Sequence, residues 1–195
     1  MNFFLPGKQT RTLIWLLQEI GTTVSKVRLA DAATLNIRTN GTQLIGTSDD
    51  CCFLHRTLHG DGALTCQVSS LQNTHVYAKA GLQIRRTLSA DSPNAMIEWT
   101  PSRWAYFQYR AVTGGSVTWW QYVWTTQFPL LLRISRTGNE IKGYLSEDGG
   151  KTFKQVGKVN LELPEKVFIG MVVTSNSSQA TTALMGNFLL EGNSS

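Results

Sequence analysis

The chain is short of charge, of proline, of cysteine and of long apolar runs, and each shortage excludes something. Of its 195 residues only 16% are charged, while 42% are hydrophobic, which is too apolar a balance for a disordered chain. Five prolines against 17 glycines leave no room for collagen-like or proline-rich repeats and point instead to many turns. Near the N-terminus the longest apolar run, Leu13 to Leu17, is shorter than the core of an export signal and far shorter than a membrane span. A soluble chain without a span is expected, cytoplasmic by default and extracellular if it is part of a longer protein.

Three cysteines cannot all pair within the chain. The segment "LHGDGAL" reads as a hairpin turn centred near Gly60 and Asp61, which places Cys52 opposite a residue near Ser69 and Cys66 opposite one near His55. No cross-strand disulfide follows from that register, so Cys51, Cys52 and Cys66 are expected as buried free thiols. No Cys/His spacing resembles a zinc site. The formal charge of +5 comes from bases scattered singly, with Arg85-Arg86 the one adjacent pair. Nucleic-acid binding gathers its positive charge on one face or segment, so neither a nucleic-acid nor a membrane partner is expected.

What is present is period-two alternation. Strands are expected at 33–38, 42–46, 51–57, 63–70, 76–87, 94–100, 104–112, 117–124, 130–136, 139–145, 153–159, 166–174 and 182–190. Turn formers such as "TNGT", "SADSPN", "VTGGS" and "RTGNE" separate them. About a dozen short strands at this spacing predict an all-β, two-sheet antiparallel sandwich of jelly-roll type. "RTLIWLLQEI" reads equally as a short helix or an edge strand. One domain is expected over 15–195, with residues 1–14 as an N-terminal arm. "SEDGGKTF", Ser146 to Phe153, matches the Asp-box hairpin pattern Ser-x-Asp-x-Gly-x-Thr-aromatic. There Asp148 accepts turn N–H groups, Gly150 supplies the unusual φ and Phe153 packs the returning strand, which is a folding device and not chemistry.

Several pieces in order carry a family resemblance: "WLLQEIG" at 15–21, the stretch 58–101 with "AKAGLQIRR", "FQYRAVTGG" at 107–115, "PLLLRISRTGNEIKGYLSEDGGKTF" at 129–153 and "VFIGMVVTSNSS" at 167–178. Together they resemble the concanavalin A-like, jelly-roll domain family of largely unassigned function that includes the yeast regulator-of-enolase protein. The resemblance implies a sandwich of two curved antiparallel sheets, often appended to carbohydrate-active enzymes, with sugar binding on the concave face as the implied role. The chain departs from the family at Gln83, where Met is usual, at Arg86, which stands in a Glu-like position, and in "TSNSS", which lacks a common His.

Alternation separates the two faces of the aromatic-rich stretch. Leu82, Ile84, Ile97, Trp99, Phe107, Tyr109 and Ala111 read as core. The other face collects Gln83, Arg85, Met96, Glu98, Trp104, Tyr106, Gln108 and Arg110, the rings and fixed polar groups that a saccharide groove needs. A cross-strand pair of Arg85 or Arg110 with Glu98 is the structural alternative. In "VTWWQYVW", Gln121 marks the face of Val117, Trp119 and Val123 as the wetter one. Trp119 is therefore read as exposed, and Trp120 and Trp124 as core. The candidate ligand residues are Arg85, Glu98, Trp104, Tyr106, Gln108, Arg110 and Trp119.

Catalysis is not expected. A glycosidase needs two carboxylates flanking one bond, about 5–5.5 Å apart for retention or about 6.5–9.5 Å for inversion, and Glu98 is the one acid on these strands. His55 and His59, flanking the expected hairpin, read as surface residues. No cofactor is required by any motif, although the oxygen-rich "Asn176-Ser-Ser" and "Asp49-Asp50" could contribute to a Ca²⁺ site. Two readings remain: a non-catalytic carbohydrate-binding module, or a protein-interaction domain whose exposed rings are interface anchors.

Overall fold

The computed structural model describes residues 2–6, 12–125 and 129–195, with side chains described for 14–118, 122–125 and 129–195. Among these residues there are strands and no helix: β1 (Asn2–Pro6), β2 (Thr12–Ile20), β3 (Ser25–Leu29), β4 (Thr34–Thr39), β5 (Cys51–Leu71), β6 (Lys79–Arg85), β7 (Asn94–Trp99), β8 (Trp104–Arg110), β9 (Thr118–Trp124), β10 (Leu130–Thr137), β11 (Glu140–Ser146), β12 (Lys154–Asn160), β13 (Lys166–Thr174) and β14 (Thr181–Ser194). The segment left open between helix and strand is therefore a strand, β2. It pairs with β1 on one side and with the start of β5 on the other.

Two sequence expectations fail in an instructive way. Residues 42–46 make only an isolated bridge, Gln43 to Asp50. The hairpin at Gly60 and Asp61 is absent, because β5 runs unbroken through it for 21 residues. Both halves of β5 find partners elsewhere: Cys52 to His59 pairs with β13, and Gly62 to Val68 pairs with β10. Between them Gly60 takes a left-handed φ of 71°, which only glycine adopts readily, and the strand passes from one sheet into the other. The three cysteines thus lie along a single strand, where the adjacent Cys51 and Cys52 turn to opposite faces, into the smaller and the main core respectively. All three are free and buried.

Sharing β5 in this way makes a β-sandwich. The front sheet runs β2, first half of β5, β13, β6, β7, β8, β9; the back sheet runs β12, β11, β10, second half of β5, β14, β4, β3. The inward faces meet in one core, where Leu82, Ile97 and Phe107 oppose Leu132, Ile134 and Val156. Phe107 packs tightly against the back sheet. Gly143 and Gly157 are partners in the β11–β12 pair, and a Cβ at Gly157 would sit 2.6 Å from Phe107 Cδ1, one at Gly143 2.5 Å from Cδ2. Two glycines facing one another in the back sheet therefore leave the slot that the ring fills.

Candidate functional site

β6, β7 and β8 send Leu82, Ile84, Ile97, Trp99 and Phe107 into the core, as alternation requires, and Tyr109 is packed against it while half-buried. Ala111, expected as core, follows the end of β8 and is exposed. The other face is not an open groove. Gln83, Arg85, Met96, Glu98, Gln108 and Arg110 are all completely buried. The segments 40–50 and 86–93 cross over them, and Leu44 joins Ile20, Cys51, Phe53, Met96 and Val172 in a second, smaller core.

Asp49 organises this layer. Its Oδ1 accepts from Arg110 Nη2 at 2.7 Å and its Oδ2 from Arg85 Nη1 at 3.2 Å and Asn94 Nδ2 at 3.2 Å. The remaining guanidinium donors hold the covering loops by their carbonyls. Arg85 donates to Thr87 O and Ser89 O, and Arg110 to Ala90 O, Ser92 O, Gly46 O and Gly115 O. Burial lowers the Arg85 pKa while Asp49 opposes that shift. Gln108 Nε2 donates to Leu44 O at 2.6 Å. Arg85, Gln108 and Arg110, read from sequence as ligand residues on an exposed face, are the ties that close that face.

Glu98 is also paired differently from the sequence expectation. Its partner is neither arginine but Lys79, with Nζ 2.5 Å from Oε1. Gly81 stands opposite Glu98 in the β6–β7 register and has no side chain to separate the pair. Burial raises the Glu98 pKa, and the Lys79 ammonium opposes that rise. The alternation of "KAGLQIR" already puts Lys79 on this face; Asp49, in a turn, carried no such signal.

Beyond the covering loops the same face stays open. Trp104 and Tyr106 are half-buried, and the register sets Trp104 opposite Trp124 and Tyr106 opposite Tyr122. Trp124, expected as core, is 51% exposed, and Tyr122 is 65% exposed. The neighbouring Val123 is the residue that packs on the core instead, so from Tyr122 to Trp124 the faces are the reverse of the sequence reading. Trp104 meets Tyr122 edge-on at 5.1 Å, and Tyr106 lies 6.0 Å from Tyr122. Burial raises the Tyr106 pKa, and Tyr77, Glu98 and Tyr122 add to the rise. Trp119 and Trp120 fall on side chains outside the described residues.

The other sequence candidates are accounted for locally. Asp50 Oδ2 accepts from Thr42 Oγ1 at 2.6 Å and Oδ1 from Thr23 Oγ1 at 2.7 Å. Burial works to raise the Asp50 pKa, and these bonds outweigh it. Asn176 contacts His75 through its amide. The Asp49-Asp50 oxygens are thus spent on donors, and among the described residues no cluster of three His, Cys, Asp or Glu side chains could hold a metal. His55, expected at the surface, is buried, stacked on Phe53 at 5.3 Å and edge-on to Phe168 at 5.2 Å. Among the described residues no helix is long and apolar enough to cross a membrane.

Compared by sequence, the chain matches no protein-family model and no curated protein. Its fold is similar to that of a functionally unknown protein from Saccharomyces cerevisiae, at TM-score 0.71 and 15% identity over 92% of this chain and 96% of that one. It is also similar to the carbohydrate-binding module CBM66 from Bacillus subtilis (TM-score 0.60, 12% identity, 87% and 95% covered). A third likeness is to a Bacillus licheniformis beta-glucanase (TM-score 0.60, 14% identity, 98% of each). These likenesses establish the jelly-roll, concanavalin A-like fold and leave the function open, since a binding module and an enzyme both share it.

Proposed function

We propose that this chain is a non-catalytic binding module whose ligand is a glycan, held on the open end of the front sheet by Trp104, Tyr106 and Tyr122. The observation that carries the reading is the convergence of these rings on one exposed face, edge-on and tilted to one another. Rings so placed offer apolar walls for the C–H faces of a sugar, with phenol hydroxyls at their rim for its polar edge. The likeness to a carbohydrate-binding module supports it. The in-order motifs and the likeness to the yeast protein support membership of the concanavalin A-like family that includes the yeast regulator of enolase.

The absence of catalysis is part of the proposal. Glu98 and Asp49, the acids under this face, are both fully buried and each is spent on cations. Neither is placed to give or take a proton at a bound sugar. A second reading rests on β9, the edge strand of the front sheet, whose exposed Tyr122 and Trp124 are also what a protein interface uses. A glycan array with the wild-type chain and the Trp104→Ala and Tyr106→Ala variants tests both. Glycan binding lost in the variants supports the module; no glycan signal together with concentration-dependent self-association supports the interface.

A further inference from the structure

The outward face of the back sheet holds a cavity of about 400 Å³, within the size range of small-molecule sites. Its floor comes from β5 and β10, whose alternation turns Leu64, Cys66 and Leu132 into the core and leaves Thr65, Gln67, Leu131 and Arg133 facing out. One wall is the Asp-box turn. Ser146 Oγ donates to Asp148 Oδ1 at 2.7 Å, Gly150 N to Ser146 Oγ at 2.9 Å and Thr152 Oγ1 to Asp148 Oδ2 at 2.6 Å. Phe153, expected to pack the returning strand, is instead exposed along this wall.

The opposite wall is a bulge in β14. Between the pairs Gly186–Gln67 and Leu189–Thr65 the strand carries Asn187 and Phe188 against the single residue Cys66. Phe188 turns into the core beside Trp15. Asn187 is left at a φ of +52°, the left-handed region that asparagine tolerates better than most non-glycine residues. Its Nδ2 donates to Gln67 Oε1 at 2.8 Å across the cavity. Arg133 is the sole charged side chain among the described residues that line it. Its Nη1 donates to Thr65 Oγ1 at 3.0 Å and contacts Glu191, which lies outside the lining and is partly exposed. An exposed pair of that kind is a weak tie that an incoming carboxylate can displace.

We propose that this cavity is a ligand site for a hexuronate, a sugar ring bearing one carboxylate, separate from the ring patch on the front sheet. The guanidinium of Arg133 takes the carboxylate. Phe153 and Leu131 take the apolar face of the ring, and the paired amides of Gln67 and Asn187 take hydroxyls. A free uronate and the terminal residue of an acidic polysaccharide present the same chemistry.

Amide NMR of the full chain, titrated with sodium glucuronate, glucose and sodium acetate, tests the site. Shifts confined to residues around Thr65, Arg133 and Asn187 are expected with glucuronate, with glucose about tenfold weaker. Arg133→Gln is expected to weaken glucuronate about tenfold, and Phe153→Ala, on an exposed turn, gives a second probe should Arg133→Gln disturb folding. Tyr122→Ala on the front sheet is expected to leave this binding unchanged. A uronate trisaccharide that binds as tightly as the monosaccharide assigns the site to chain ends, and one that binds about tenfold more weakly assigns it to the free acid. Equal shifts from acetate, no shifts in this region, full affinity in both Arg133→Gln and Phe153→Ala, or loss in Tyr122→Ala would each overturn the proposal.

Discussion

Asp49 and Arg110 lie 61 residues apart in the chain and meet at 2.7 Å in a completely buried contact. Because Arg85 shares the same carboxylate, removing Asp49 strands two guanidinium groups beneath the covering loops. Breaking a buried pair of this kind costs about 3–5 kcal/mol. Asp49→Ala is expected to lose that much in urea denaturation, and a loss below about 1 kcal/mol contradicts the organising role given to Asp49.

The slot for Phe107 predicts a second loss. An alanine at Gly157 puts a methyl group 2.6 Å from Phe107 Cδ1 and 2.7 Å from its Cβ, a ring held inside the sandwich. Overpacking costs about 1–3 kcal/mol. Gly157→Ala should show it in thermal unfolding, and the double variant with Phe107→Leu should recover part of it. Additive losses in the double variant contradict the contact.

The thiols should be inert in the folded chain. Burial pushes the Cys52 thiol up to about 12 and the Cys51 and Cys66 thiols upward as well, and the thiolate is the reactive form. A thiol reagent such as DTNB is expected to label none of them in the native protein and all three after denaturation. Rapid native labelling of any one would contradict the packing of β5.

His55 gives a pH dependence with a definite sign. Burial, helped by the Arg85 charge, lowers its pKa from 6.5 to about 4, so between those values the unfolded chain binds the proton and the folded chain does not. Stability is then expected to fall as pH drops from about 6.5 to 4, on the order of 3 kcal/mol from this residue. Glu98, with its pKa raised, acts in the opposite sense. The comparison of wild type with His55→Leu isolates the histidine: the difference in unfolding free energy should change across that window, and a flat difference contradicts the assignment.

The fold was legible because the strands alternate cleanly. "AGLQIRR", "AMIEWT" and "WAYFQYRAV" placed Leu82, Ile97 and Phe107 in the core, and the structure keeps them there. What escaped the sequence was non-local. Nothing in "LHGDGAL" says that both halves of the strand find partners in different sheets, so a turn was expected where β5 passes between them. The burial of Arg85 and Arg110 depends on loops 40–50 and 86–93 folding over their face, held by an aspartate in a turn. At the end of β9 the pairing of Tyr122 with Tyr106 and of Trp124 with Trp104 decides the faces, a cross-strand relation that the polarity of Gln121 does not carry. Of the seven candidate ligand residues, Trp104 and Tyr106 remain on an open face, Arg85, Glu98, Gln108 and Arg110 lie beneath it, and Trp119 falls outside the described side chains.

The most direct test of the glycan-binding proposal is isothermal titration of the tightest array glycan into the wild-type chain and into Tyr122→Ala. Tyr122 is the most exposed ring of the patch at 65%, so its removal leaves the core and the Asp49 layer intact. Truncating a central aromatic anchor typically costs more than about 1 kcal/mol, and the account predicts an affinity at least about tenfold lower with an unchanged unfolding midpoint. Equal affinity in the two proteins would place the ligand elsewhere and contradict the reading of this face.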